Sequence, residues 1–257
     1  MEKQLEFSIR TQPDQTTCGP TCLHALYHYY DDPVSLSRLI QEVTFLNEGG
    51  TLAVFLACHA LKNNYQATIY SYNLQVFDPS WFKLKPKQMM EKLRLQYQYK
   101  RTPKLRVATR GYLEYLELGG RLVFCDLNTR LLQTYLRRSV PILTGLSATY
   151  LYRSPREYGV SMEYDDIRGE SCGHFVVLCG YDAVTRKVRV ADPLYPNPLL
   201  TTNYYDVDMD RLINAILLGI LTYDANLLII EPRPGKRKGN VNASSSKRSE
   251  KLAAQHP

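Results

Sequence analysis

The sequence predicts an α+β fold, and three observations carry that expectation. Helix-forming segments come first along the chain and strand-forming segments later. Two β-rich runs, His174 to Tyr181 and Lys187 to Asp192, are separated by one short turn and read as an antiparallel hairpin. With 257 residues, 44% of them apolar, the chain can bury a substantial core in one large domain or two small ones.

The elements follow from periodicity and punctuation. From Cys18 to Tyr30, residues Leu23, Leu26, Tyr27 and Tyr30 fall at helical spacing, and Asp31-Asp32-Pro33 closes the segment. Ser35 caps a short helix ending near Val43, and Gly49-Gly50-Thr51 opens a nearly all-apolar, hence buried, helix from Leu52 to Leu61. A strand, Tyr65 to Tyr70, comes next. The Lys-, Arg-, Gln-, Leu- and Tyr-rich stretch from Pro79 to Leu118 reads as two helices broken near Pro103. Arg121 to Cys125 is strand-like, and Asp126 or Asn128 caps a helix with Leu127, Leu131, Leu132 and Tyr135 as its apolar residues. A buried strand from Val140 to Leu146 precedes a polar loop from Arg153 to Glu170 and then the hairpin. Asp208 caps a last helix stopped by Gly219, and Asn226 to Ile230 forms a final strand.

The net charge of +7 resides mostly in one segment. Residues 232–257 hold Arg233, Lys236, Arg237, Lys238, Lys247, Arg248 and Lys251 against Glu250 alone, so the rest of the chain is nearly neutral. Basicity therefore does not imply a nucleic-acid substrate. The Pro, Gly, Ser and Lys content of 232–257 predicts a disordered basic tail able to contact anionic surfaces, after a folded domain covering 1–231. No apolar run is long enough to span a bilayer, and MEKQLEFSIR lacks the apolar core of a secretory signal. Six scattered cysteines without a C-x-x-C pair read as reduced thiols, so a cytoplasmic location is expected. Rossmann, phosphate-loop, zinc-protease and nucleophile-elbow motifs are missing from the sequence, which leaves thiol chemistry as the leading class.

Cys18 opens the first helix in the run Thr16-Thr17-Cys18-Gly19-Pro20. Its sulfur is expected among unpaired N–H groups at the positive end of the helix dipole, which favours thiolate. Pro20 is tolerated in a first turn, and Gly19 permits close approach of a backbone or a substrate. The hairpin turn near Asp182 to Arg186 returns Asp192 to the edge where His174 begins. A carboxylate beside an imidazole fixes its tautomer and stabilises the imidazolium, as a base serving a thiol requires. Gly173 is expected to leave room beside the ring for a substrate.

The runs Gln12-Pro13-Asp14-Gln15-Thr16-Thr17-Cys18-Gly19-Pro20-Thr21-Cys22-Leu23, Gly173-His174-Phe175-Val176-Val177-Leu178 and Val190-Ala191-Asp192-Pro193 resemble the bacteriocin-processing, double-glycine-leader cysteine peptidase family. The resemblance covers roughly residues 12–30 and 138–194, with Thr17 standing where that family usually has Asp. It implies a papain-like fold, with the helix of Cys18 packed on an antiparallel sheet, and a Cys18, His174, Asp192 triad. It also implies that Gln12, six residues before Cys18, donates its amide to the oxyanion together with the Cys18 N–H.

The expected activity is cysteine-peptidase hydrolysis of a peptide or isopeptide bond through a thioester, with no cofactor and no metal. A papain-fold acyltransferase or transglutaminase-like enzyme would use the same triad, and a non-catalytic peptide-binding module would keep only the groove. His24 and His28 lie four apart but lack a third ligand, so helix-surface or packing roles are expected for them. His59 reads as a hydrogen-bonded core histidine, Cys22 as core packing, and Cys172 as a thiol able to approach the site. The pairs Tyr112/Tyr115, Tyr150/Tyr152 and Tyr204/Tyr205 are candidates for lining a peptide groove.

Overall fold

The computed structural model describes residues 2–47, 49–159 and 161–235. A short strand β1 (Glu2–Gln4) precedes helices α1 (Cys18–Tyr29), α2 (Leu36–Glu42) and α3 (Ala53–Lys62). Strand β2 (Tyr65–Ser71), helices α4 (Pro86–Tyr99) and α5 (Pro103–Glu117), strand β3 (Arg121–Val123), helix α6 (Thr129–Arg137), strand β4 (Ile142–Ser147) and helix α7 (Ala148–Tyr152) follow. Next come the small hairpin β5 (Glu157–Tyr158) and β6 (Glu163–Tyr164), strands β7 (Gly173–Asp182), β8 (Lys187–Ala191) and β9 (Tyr204–Asp208), helix α8 (Met209–Leu218) and strand β10 (Asn226–Pro232).

Local chemistry explains the boundaries. Ser35 Oγ accepts from Arg38 N–H at 3.4 Å and Asn128 Oδ1 from Leu131 N–H at 3.0 Å, each satisfying an orphan donor of a first turn. Pro86 and Pro103 open α4 and α5, where the missing N–H has no intrahelical partner. Asp208 sits at the cap position of α8 as expected, but its side chain makes no capping hydrogen bond.

The main sheet runs β3-β2-β10-β4-β7-β8-β9, with β1 pairing to β7 as its eighth strand. All its pairings are antiparallel except β2 with β3. Strand β7 is the organising element: Gly173 to Leu178 pair with β4, Gly180 to Asp182 pair with β1, and β8 lies along the opposite edge. Its side chains alternate. Phe175, Val177 and Cys179 join one core with α1 to α5, whereas Val176 and Leu178 join a second core with α6, α7 and α8. The result is a papain-like α+β architecture of three layers, with α1 packed on an antiparallel sheet.

Four elements lie where the sequence predicts none: β1, the β5–β6 hairpin inside the expected polar loop, α7 and β9. Strands of two or three residues are too short for periodicity, and α7 is a five-residue helix. In β9 the alternation is present, with Tyr205 and Val207 buried, but it abuts the cap of α8. Gly219 ends α8 as expected, but not as a left-handed cap. Its φ is −58°, a 3₁₀ turn continues to Thr222, and the left-handed residue is Tyr223 at φ 72°. The expected boundary at Glu231 falls inside β10: Pro232 still pairs with Tyr65, and Arg233 Nε donates to Tyr65 O at 3.1 Å. The remainder of the expected tail, from residue 236, lies outside the described residues. No helix among the described residues is long and apolar enough to cross a membrane.

Candidate active site

Cys18 is the first residue of α1, and the preceding segment is tied by Asp14. Asp14 Oδ1 accepts from Thr16 N–H and Thr16 Oγ1, both at 2.8 Å, and Thr17 Oγ1 donates to Asp14 O at 3.2 Å. These bonds hold the Asp14 carboxyl below the usual range, against its partial burial. The Thr17 side chain makes no capping bond to α1, so the first N–H groups of the helix remain open around Cys18. The close approach expected at Gly19 is to protein: a Cβ there would stand 2.5 Å from Thr51 Cγ2 and 3.3 Å from Phe175. Glycine thus lets α1 sit directly on β7 and the start of α3.

His174 is the second residue of β7 and buried. Its Nε2 lies 2.8 Å from Asp192 Oδ1, which leaves Nδ1 for the thiol of Cys18. Burial alone would depress the imidazole pKa. The charge and hydrogen bond of Asp192, together with Cys18, outweigh burial and raise it to about 10.

Asp192 is fully buried, and every acceptor position that the fold can reach is filled. Oδ1 also accepts from Leu194 N–H at 2.9 Å, while Oδ2 accepts from the hydroxyls of Tyr152 and Tyr205, each at 2.6 Å. Burial would raise this carboxyl, but His174 and the two tyrosines lower it. Both tyrosines are pushed well above their ordinary values, by burial first and then by Asp192, so they remain donors. Asn203 fixes the backbone, donating Nδ2 to Asp192 O at 2.7 Å and accepting from Asp192 N–H at 2.8 Å. Tyr152 and Tyr205, which the sequence offers only as candidate groove-lining residues, are instead donors to Asp192 Oδ2.

Cys18 and His174 line an open cleft of about 210 Å³, with Asp192 behind the imidazole. Gln12 lines it too. Its backbone N–H donates to Pro193 O at 2.8 Å, so the segment before α1 is pinned to the residue after Asp192, and one amide N–H goes to Asp14 O at 2.8 Å. Gly173 borders the cleft as expected, while on its Cβ side it packs on protein: a Cβ there would lie 2.6 Å from Thr222 Oγ1. Cys172 borders the cleft, its thiol raised by burial and by Glu157. Cys22 packs in the core, donating to Phe175 O at 3.3 Å, and burial raises its pKa well above normal.

The remaining predicted residues lie elsewhere. His59 is a core histidine bonded to Tyr27 Oη at 2.9 Å and Glu42 at 3.0 Å. His24 and His28 stack on one another, 6.5 Å between centroids, and no cluster of three metal-ligating side chains forms among the described residues. Tyr112 and Tyr115 are core, and the Tyr204 hydroxyl bonds the backbone of Phe7 and Ile9. Of the three tyrosine pairs only Tyr152 borders the cleft. Tyr164 of β6 borders it as well.

Residues 4–214 match the Peptidase_C39 like family. The chain belongs to that family. The match runs through the middle of this C39-like chain, including residues 44–137, where the sequence motifs gave no resemblance. Its class is therefore that of the cysteine peptidases. Solved structures similar to it include a double glycine motif protease from an AMS/PCAT transporter in complex with the leader peptide, with 12% identity, TM-score 0.42, and coverage of 90% of this chain and 94% of that one. The peptidase domain of Streptococcus ComA, a bifunctional ABC transporter of a quorum-sensing pathway, aligns at 12% identity and TM-score 0.41 over 89% and 100%. Xylellain, a cysteine protease from Xylella fastidiosa, aligns at 11% identity and TM-score 0.43 over 91% and 86%. No curated protein matches the C39-like chain.

Proposed function

We propose that this chain hydrolyses a peptide bond with Cys18 as nucleophile, His174 as general acid and base, Asp192 as the group that orients the imidazole, and Gln12 as an oxyanion donor. The observation that carries the reading is the arrangement of the imidazole: Nε2 is committed to a buried carboxylate, so Nδ1 serves the thiol at the helix end. The Cys18 thiolate attacks the carbonyl carbon, and the oxyanion is held by the Cys18 N–H and the second amide N–H of Gln12. His174 passes its proton to the leaving amine, then takes one from the water that breaks the thioester. An open cleft beside the thiol suits a peptide chain.

The test follows alkylation of Cys18 and peptide hydrolysis in parallel. Cys18→Ala abolishes hydrolysis. Gln12→Ala lowers turnover by about 10²- to 10³-fold while leaving alkylation intact, because an oxyanion donor acts on the transition state. Undiminished hydrolysis by Cys18→Ala refutes the reading. Products formed with and without added amines separate hydrolysis from acyl transfer.

A further inference from the structure

Asp224 lies on the wall of the same cleft as Cys18 and His174, and the proposed mechanism gives it no task. It is only 7% exposed. Oδ1 accepts from Ala53 N–H at 3.1 Å, at the start of α3, and from Asn226 Nδ2 at 3.3 Å. Oδ2 makes no hydrogen bond to any described residue, and the carboxyl forms no ion pair among them. Lys104, at the start of α5, borders the cleft but stands over the ring of Tyr223, 5.5 Å from its centroid.

The backbone holds Asp224 in this position at a cost. Tyr223 before it is forced into the left-handed region, φ 72°, and Asp224 N–H is tied to Gly219 O at 3.0 Å. Gly145 beneath makes room, since a Cβ there would stand 2.6 Å from Asp224 Cβ. A capping role for α3 alone is met equally well by Asn or Ser, which would supply the acceptor without burying a charge. A buried carboxyl with one oxygen left open toward a substrate cleft is a receptor for a cation.

We infer that Asp224 is the specificity residue of a subsite that takes the positively charged side chain of a lysine or arginine close to the scissile bond. This rests on the reading that the cleft holds a peptide. It extends that reading to the substrate's chemistry: a basic residue seated on the Asp224 carboxylate, its aliphatic stem along Phe175 and Leu46, which border the same cleft. Burial pushes the carboxyl up to about 7, opposed by the Ala53 N–H, Asn226 and Lys104, and Tyr112 of α5 faces it from the core side. In the free protein the group is therefore partly protonated near neutrality, and an incoming ammonium or guanidinium draws it into the charged form.

The experiment reads binding and needs no turnover. The full chain carrying Cys18→Ala is immobilised and offered a positional-scanning hexapeptide library, beside the double variant Cys18→Ala, Asp224→Asn. Asn keeps an oxygen for Ala53 N–H, so α3 stays capped, and matching thermal unfolding at acid pH verifies the fold. At about pH 8, lysine or arginine should be enriched over norleucine by about tenfold at one position, and less at about pH 6, as for a half-screened charge pair. The enrichment should vanish in Asp224→Asn. No basic-residue enrichment at any position, or enrichment that persists in Asp224→Asn, overturns the inference. Loss of hydrolysis in the native chain tests only the thiol mechanism, so the two failures are distinct.

Discussion

The His174 imidazole turns Nε2 toward Asp192, 2.8 Å away, which leaves Nδ1 as the ring nitrogen available to Cys18. On the proposed mechanism His174→Ala should remove acid–base catalysis, lowering turnover by about 10²- to 10⁴-fold. Asp192→Asn should cost less, because its oxygen can face His174 and Leu194 while its NH₂ donates to the tyrosine hydroxyls. Asp192→Ala leaves those hydroxyls buried without an acceptor and should destabilise by about 3–5 kcal/mol. The pair also sets a pH window. The raised value of His174, about 10 against 6.5, means that its contribution is complete below about 6.5 and lost as pH rises through about 10. Asp192, lowered from 3.8, contributes above that value and loses it on acidification through its lower folded value. Chemical denaturation across pH should show both limbs in the native chain and a flatter profile in Asp192→Asn.

Tyr152→Phe and Tyr205→Phe each withdraw one hydroxyl from Asp192 Oδ2. Each should cost about 1.5–3 kcal/mol of stability, the worth of a hydrogen bond to a charged group. A structural role predicts that loss alone. A positioning role predicts in addition that the acid limb of the kcat profile moves to higher pH, since Asp192 loses a group that lowers it, and that the double variant moves it further.

Gly173→Ala sets a methyl 2.6 Å from Thr222 Oγ1 and should destabilise by about 1–3 kcal/mol as overpacking. Thr222→Ala removes that atom together with its neighbour Cγ2 but leaves Thr222 Cβ 2.9 Å from the new methyl, so the double variant should recover only part of the loss. Recovery failing in the double variant would place the strain in the β7 backbone.

Much of the fold is legible in the sequence because its long elements are periodic: α1, α3, α5, β4 and the β7–β8 hairpin start and stop close to the residues that punctuation marks. Cys18, His174 and Asp192 stand out as candidates by their helix-end and hairpin-edge positions, and Gln12 through the family resemblance alone. The contact that Tyr152 and Tyr205 share is not legible, since the sequence offers both only as groove candidates and nothing in it shows that α7 and β9 bring them to one carboxylate oxygen. Gly173 reads only as space for a substrate, whereas Thr222, from far along the chain, packs against its Cβ side. Asp224 looks like an ordinary turn aspartate in sequence, and only the approach of α3 and Gly145 buries it.

Truncation separates the folded body from the basic segment. Removing residues 236–257 should leave Tm and activity unchanged, on the composition of that segment. Ending the chain at Glu231 also removes the Pro232 pairing and the Arg233 bond to Tyr65 O, and should lower stability by about 1 kcal/mol. Equal unfolding curves for the two truncations would move the boundary back to Glu231.

Asp224 gives a stability signature of the opposite sign to Asp192. Its folded value, about 7, lies above the 3.8 of an ordinary carboxyl, so the unfolded chain gives up the proton first as pH rises. Stability is undiminished below about pH 4, falls between about 4 and 7, and beyond that carries the full cost of a buried carboxylate, a few kcal/mol. Asp224→Asn abolishes the titration while its oxygen still accepts from Ala53 N–H. The variant should therefore melt several degrees above the native chain at about pH 8 and close to it at about pH 4, at roughly 2–4 °C per kcal/mol for a domain of this size. A difference independent of pH would mean that the carboxyl is already compensated, with Lys104 the cation among the described residues that lowers it. Measuring the same pair of melting curves in Lys104→Met then decides the point, because removing a compensating ammonium makes the pH dependence appear.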